Sequence, residues 1–264
     1  MSIFKWEIKS NFKTFFIWSV VFIILIVMMT TEFSAYYNNP EINDLLSMMP
    51  EAMLKAFSMD QANLTTPTGY LSIIILYLYL MGGIYAALLG TNIIAKEERD
   101  KTSEFLMSKP VSRYRVLTQK LLSAICYLIG LTVVVNLTIV LAFQPYDLES
   151  DFYAFIWLVA VAMLLILMIF FSLGFLLASF VKRYKLSSKI ATSSILIFYF
   201  ISILSALSEK VDFLRHFTPF KFFEALELAN KGALNTGKVA LSAGIILAAL
   251  GLSFIIYPKR DLSH

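Results

Sequence analysis

Six long apolar segments constrain the fold of this chain more than any other feature of its sequence. They cover residues 15–33, 71–95, 121–143, 152–181, 190–207 and 239–257. Each reaches or approaches the roughly 20 residues with which a helix crosses about 30 Å of hydrocarbon. A β-barrel strand would instead alternate apolar and polar residues over about ten positions. Together with 59% hydrophobic and only 15% charged residues, the segments predict an all-α, polytopic membrane protein with one transmembrane domain over residues 1–264.

The distribution of basic residues predicts how the spans are oriented. Lysine and arginine accumulate in short cytoplasmic loops. With the N-terminus inside, the cytoplasmic segments hold 16 of the 22 Lys and Arg residues, and the outer segments hold six. The first apolar run is too long for a signal peptide and lacks a small-x-small cleavage site, so we expect it to be a retained span. The sequence predicts a cell-membrane protein with both termini in the cytoplasm.

The first thirteen residues carry an amphipathic pattern. Two adjacent stripes lie on one helical wheel, an apolar one (Phe4, Ile8 and Phe12) and a basic one (Lys5, Lys9 and Lys13). This spacing predicts an interfacial helix over residues 1–13 along the inner membrane surface. The alternative is that the lysines only anchor the first span.

Two outer loops carry helix signals. Apolar residues recur at helical spacing on both sides of Pro50, which fits a first helical position. In the last outer loop, Thr218 is the expected N-cap, Pro219 the first helical residue and Gly232 the terminator. We expect short extracellular helices here; the last one either dips into the outer interface or lies over the bundle.

Small residues mark one face of the second span. Gly82, Ala86 and Gly90 are spaced by four and lie on one stripe. Helices in a membrane associate through close backbone approach at such residues. The face predicts helix packing, either inside one bundle or at a subunit interface.

The sequence contains few residues that could form a catalytic site or relay ions across a membrane. No Asp, Glu, Lys, Arg or His lies in the apolar segments except Glu32 at an outer end, whereas ion-coupled transporters usually carry such groups. Residues 232–238 match a phosphate-loop spacing, but Val239 stands where Ser or Thr is required. Glu97 and Glu98 have no histidines positioned to assist them. We expect no catalytic site, no metal and no cofactor bound by this chain, and no nucleic-acid role.

The most charge-dense stretch is residues 96–120, between the second and third spans. Thr102 can cap a short helix that Pro110 ends, and Ser112 can cap the helix that leads into the third span. The apolar pair Phe105 and Leu106 would lie at the tip of the short helix. Such a segment is either a helix that another protein pushes in order to move the two adjoining spans, or a solvated basic loop.

This stretch resembles the cytoplasmic loop of ABC type-2 exporter permeases. The matching residues are Glu97, Glu98, Thr102, Leu106, Pro110, Ser112, Arg113 and Lys120. Weaker similarities to the same family lie in residues 49–57 and 218–220. One departure is Lys101, which stands where the family usually has a glycine before the threonine.

The resemblance implies a permease subunit of an ABC exporter that has no ATPase of its own. ATP would bind to a separate cytoplasmic ABC ATPase subunit, and a second permease copy or paralogue would complete a homo- or heterodimer in membrane lipid. The resemblance implies a coupling helix within residues 96–120, with the coupling residues Glu97, Glu98, Arg99, Thr102, Glu104, Phe105, Leu106, Pro110 and Arg113. The expected cargo is amphipathic or hydrophobic, such as a peptide antibiotic, a drug or a lipid-like molecule. The alternatives are a stand-alone channel or secondary transporter, or a non-transporting sensor subunit of a membrane complex.

Overall fold

Six long helices coincide with the six apolar segments. The computed structural model describes residues 3–56, 59, 62–99, 112–181, 184–207 and 209–259, and no strand occurs among them. All six helices are long and apolar enough to cross a membrane, which confirms the predicted all-α class. The described helices are α1 (Ile3–Phe33), α2 (Glu41–Ser47), α3 (Glu51–Ala56), α4 (Pro67–Arg99), α5 (Arg113–Phe143), α6 (Phe152–Phe180), α7 (Tyr184–Leu207), α8 (Pro219–Phe222), α9 (Ala225–Lys231) and α10 (Thr236–Ile256), with 3₁₀ turns at Glu209–His216 and Tyr257–Lys259.

Helix α1 joins the expected interfacial segment to the first span without a break. No glycine or proline lies between Ile3 and Phe33, so nothing in the sequence ends the helix between the two. Its 31 residues correspond to about 45 Å, whereas the hydrocarbon layer is about 30 Å thick. The helix is therefore longer than the hydrocarbon layer is thick, and the interfacial placement of residues 1–13 stays a prediction.

Short helices occupy the two loops that carry helix signals. Pro50 lies one residue before α3, which begins at Glu51 and not at the proline as its spacing predicts. In the last loop, extended backbone at Glu224 (ψ 124°) divides the expected single helix into α8 and α9. Thr218 is the N-cap residue, but its hydroxyl donates to the Phe198 carbonyl (2.9 Å) and does not cap α8. Gly232 ends α9 with φ 61°.

The small-residue face of α4 packs against α6 of the same chain, in the most extensive helix contact of the fold. A Cβ on Gly90 would lie 2.8 Å from the Phe175 nitrogen, and one on Gly174 would clash with the Ala87 carbonyl. A Cβ on Gly82 would meet the Leu167 side chain at 2.9 Å. Ala86, between the two glycines, is fully buried. The two backbones are in direct contact, so this face is occupied within the chain.

Aromatic residues close the end of the bundle opposite Glu7, which we call the distal end. Phe33 is fully buried there, with ring centroids 4.8 Å from those of both Tyr70 and Tyr146. The Tyr70 hydroxyl donates to the Met29 carbonyl (2.9 Å) and the Tyr146 hydroxyl to the Thr30 carbonyl (3.1 Å). These contacts fix α4 and the residues after α5 to the last turns of α1.

Ion pairs at the distal end join α9 to the start of α10. The Lys231 Nζ lies 2.8 Å from Glu227 Oε1, and the Lys238 Nζ lies 2.7 Å from Oε2. Burial raises the pKa of Glu227, but the hydrogen bonds from both ammonium groups outweigh it, so the pKa lies below its ordinary value of 4.5. The carboxylate is therefore ionised at neutral pH and holds α9 against the start of α10.

Candidate functional site

Four segments converge at the other end of the molecule, which we call the basic end. They are the first turns of α1, the last turns of α4, the start of α5 and the turn Tyr257–Lys259. Helix α4 ends at Arg99 and α5 begins at Arg113. The segment with the coupling motif therefore leaves from and returns to this end.

A buried ionic cluster of Glu7, Lys96 and Lys120 joins three of these segments; we call it the Glu7 cluster. Glu7 Oε1 lies 2.9 Å from the Lys120 Nζ, and Glu7 Oε2 lies 3.5 Å from the Lys96 Nζ. Glu7 and Lys120 are 0% exposed and Lys96 is 6% exposed. Removing one partner from a buried ion pair leaves an uncompensated charge and destabilises the fold strongly. Each charge of the cluster consequently depends on the others.

The α4 side of the cluster is held by further contacts from α1. Asn11 donates to Glu7 Oε2 at 3.1 Å. The Lys96 ammonium donates to the Ser10 hydroxyl, and it lies 3.7 Å from the centroid of the Trp6 ring. A cation over an indole face is attracted by the ring quadrupole. Lys96 is thus fixed to α1 by a carboxylate, a hydroxyl and an aromatic face.

The α5 side of the cluster contacts the backbone of both neighbouring helices. The Lys120 ammonium donates to the Ile93 carbonyl of α4. The Tyr127 hydroxyl donates to the Ile8 carbonyl of α1, and its ring lies 5.2 Å from that of Phe15. Helices α1, α4 and α5 are therefore connected to one another at the basic end.

A polar cavity of about 140 Å³ lies beside the cluster, between α1 and α4. Its wall includes Asn11, Thr14, Asn92 and Lys96, with Trp18 and Tyr85 on the apolar side. The Asn92 Oδ1 is buried and accepts no hydrogen bond from the residues that the structure describes. A cavity of this size and polarity can hold water.

The residues predicted for coupling divide into three groups. Thr102, Glu104, Phe105, Leu106 and Pro110 lie outside the described residues, so the coupling helix stays a prediction. Glu97, Glu98 and Arg99 form the last turn of α4, and only their backbone is described. Arg113 lies at the start of α5.

Arg113 makes a contact within the chain. Its Nη1 donates to the Pro258 carbonyl at 3.0 Å. The preceding residue, Ser112, caps α5 as predicted, with its Oγ accepting from the Arg115 nitrogen at 3.3 Å. The start of α5 is therefore positioned both by a local cap and by the C-terminal turn.

Sequence reasoning missed Glu7 and Lys96, and it identified Lys120 only as part of the family motif. One signal was present, because Glu7 is the only acidic residue before Glu32 and lies among three lysines. The sequence did not indicate the partners of Glu7, because they lie 89 and 113 residues further along the chain. Both lysines lie directly beside the apolar segments 71–95 and 121–143.

Comparison with protein families completes the assignment. The family described as ABC-2 family transporter protein matches residues 1–262. No curated protein matches the chain. The match covers nearly the whole chain and includes all six candidate spans. ABC-2 permeases are membrane components of ABC transporters and not ATPases themselves, and the family generally implies an ABC ATPase partner and a dimeric arrangement. This chain belongs to the ABC-2 transporter family, as a multi-pass transmembrane permease.

Proposed function

We propose that the protein is the membrane-spanning subunit of an ABC exporter for an amphipathic or hydrophobic substrate, such as a peptide antibiotic, a drug or a lipid-like molecule. The family match over residues 1–262 carries this proposal. The segments between the flanking charges are apolar and contain no ion-relay group, so the energy for transport must come from another subunit. ATP hydrolysis by a separate ABC ATPase supplies it.

In this proposal the basic end faces the cytoplasm. The excess of lysine and arginine in the segments at this end supports that orientation. It places residues 96–120 where a cytoplasmic ATPase reaches them. A second copy of the chain or a paralogue completes the transporter.

The loop between α4 and α5 is the proposed point of coupling. Closure of the ATPase subunits pushes the apolar pair Phe105 and Leu106, with Glu97, Glu98 and Arg99 as polar contacts. Thr102 starts the coupling helix, Glu104 lies within it, and Pro110 ends the segment. Because α4 touches α6 backbone to backbone near Gly90, displacement of α4 is transmitted to α6 at the core of the bundle.

Copurification tests this proposal. A tagged chain is extracted from its native membrane in mild detergent, and the proteins that accompany it are identified by mass spectrometry. We expect a stoichiometric ABC ATPase. The double variant Phe105→Asp, Leu106→Asp should lose it, because two carboxylates replace the apolar contact.

The matched control carries the same two changes on an exposed apolar pair of the distal end. Leu45→Asp with Met48→Asp alters side chains that are 59% and 78% exposed, and it should retain the ATPase. If the wild-type chain is recovered alone while other ABC complexes stay intact, the exporter proposal is wrong. If the Phe105 and Leu106 variant keeps a fully active ATPase, these two residues are not the coupling contact.

A further inference from the structure

The Glu7 cluster brackets the proposed coupling loop. Lys96 is the fourth residue from the end of α4, and Lys120 is the eighth residue of α5, so the two lysines lie on either side of the loop between these helices. One carboxylate reaches both, with Oε1 on Lys120 at 2.9 Å and Oε2 on Lys96 at 3.5 Å. Both ends of the loop are therefore attached to the same residue of a third helix.

Stability alone is a weak explanation for such a cluster. A well-packed apolar replacement of a buried ion pair is often as stable or more stable. Unlike apolar side chains, buried charged groups must stay within a few ångströms of a partner of opposite charge. If α4 or α5 slid against α1 by one helical turn, about 5.4 Å, a buried charge would lose its partner. The cluster therefore opposes relative sliding of the three helices at this end.

The distal end of α1 is fixed by the aromatic contacts at Phe33, so only its N-terminal part can follow such a unit. Its contacts within the chain are mainly with α5, and much of its apolar surface faces outward, including Phe16, Ile24 and Met28. Displacement of the loop ends can thus be passed to α1 through Glu7.

We propose that Glu7 is a positioning residue that makes the N-terminal part of α1 move as one rigid unit with both ends of the coupling loop. This rests on the proposed function, because the loop transmits a push only if an ATPase binds it. The role of Glu7 is to hold Lys96 and Lys120 in register. The force generated at the loop then reaches α1 as well as α4 and α5.

Distance measurement between two spin labels tests the rigid unit. Cys126 is the single cysteine and is first replaced in the variant Cys126→Ser. Labels are attached at Lys9→Cys on α1 and Tyr114→Cys on α5, both exposed positions. The copurified complex is measured without nucleotide and with ATP and vanadate. In the chain with Glu7 intact, we expect the same narrow distance distribution in both states.

The variant Glu7→Gln should broaden this distribution or shift it by roughly 5 Å, the length of one helical turn, in the vanadate-trapped state. Glu41→Gln, the same change at an exposed carboxylate of the distal end, is the matched control and should have no effect.

The outcomes separate the two proposals. Absence of an ATPase from the intact complex contradicts the proposed function. An ATPase that is present and active, with unchanged label distances in Glu7→Gln, contradicts the positioning role. If Glu7→Gln does not assemble, Lys120→Gln is measured instead; it removes the partner on α5 but leaves the Glu7–Lys96 pair, and an unaltered distribution there overturns the inference.

Discussion

Arg113 stands where a helix dipole disfavours a cation. It lies in the first turn of α5, near the positive end of the macrodipole. The Pro258 carbonyl accepts a hydrogen bond from it at 3.0 Å, which offsets the unfavourable position. Arg115 lies in the same turn but is exposed. Two arginines that look equivalent in the sequence therefore have different surroundings.

We expect Arg113→Gln to loosen the C-terminal turn Tyr257–Lys259. A hydrogen bond from a charged group contributes roughly 1.5–3 kcal/mol, and solvent screening at this half-buried site reduces that to about 1 kcal/mol, so hydrogen–deuterium exchange of the turn should speed up several-fold. Arg115→Gln, the matched change at the exposed arginine, should leave the exchange rate unchanged. Equal exchange in both variants would show that the Pro258 contact does not hold the turn.

Residues whose role depends on near neighbours were predictable from the sequence. Ser112 caps α5 and Gly232 ends α9, because caps involve groups a few positions apart. Glu7 was not predictable in the same way, since its partners Lys96 and Lys120 belong to other helices. Only the folded bundle brings one carboxylate and two lysines together.

Among the helices, the six spans follow from apolar length alone, whereas the division between α8 and α9 does not. Phe220, Phe222 and Phe223 are all buried, although a helix directs Phe220 and Phe222 to different sides. The chain leaves the helical conformation at Phe223 (φ −132°, ψ 54°), directly after Phe222. Tertiary burial here overrides the helix signal of the local sequence.

The crossing of α4 and α6 predicts a sharp difference between glycines. Gly90→Ala places a methyl group against the backbone of Phe171 and Phe175. Overpacking of this kind destabilises by about 1–3 kcal/mol, so the detergent-purified variant should unfold several degrees lower. Gly244→Ala is the control, because a Cβ there meets nothing within 4 Å. If the Gly90→Ala and Gly244→Ala proteins unfold at the same temperature, the close contact between α4 and α6 does not contribute to stability.

For the whole molecule, the charge distribution predicts which end faces the cytoplasm. In the Cys126→Ser background, Met48→Cys at the distal end should react with a membrane-impermeant maleimide in intact cells. Lys9→Cys at the basic end should react only after the membrane is opened. Both positions are exposed, so access to the reagent decides the result. The reverse pattern would place the coupling loop away from cytoplasmic ATP and contradict the exporter proposal.

The long separation between Glu7 and its partners has a consequence for how the chain is made. Glu7 is synthesised long before Lys96 and Lys120, which follow 89 and 113 residues later. Until they arrive, burying the carboxylate would cost several kcal/mol, so it stays in contact with water at the membrane surface. The carboxylate of α1 can therefore be buried only after both lysines have been synthesised and have packed against it.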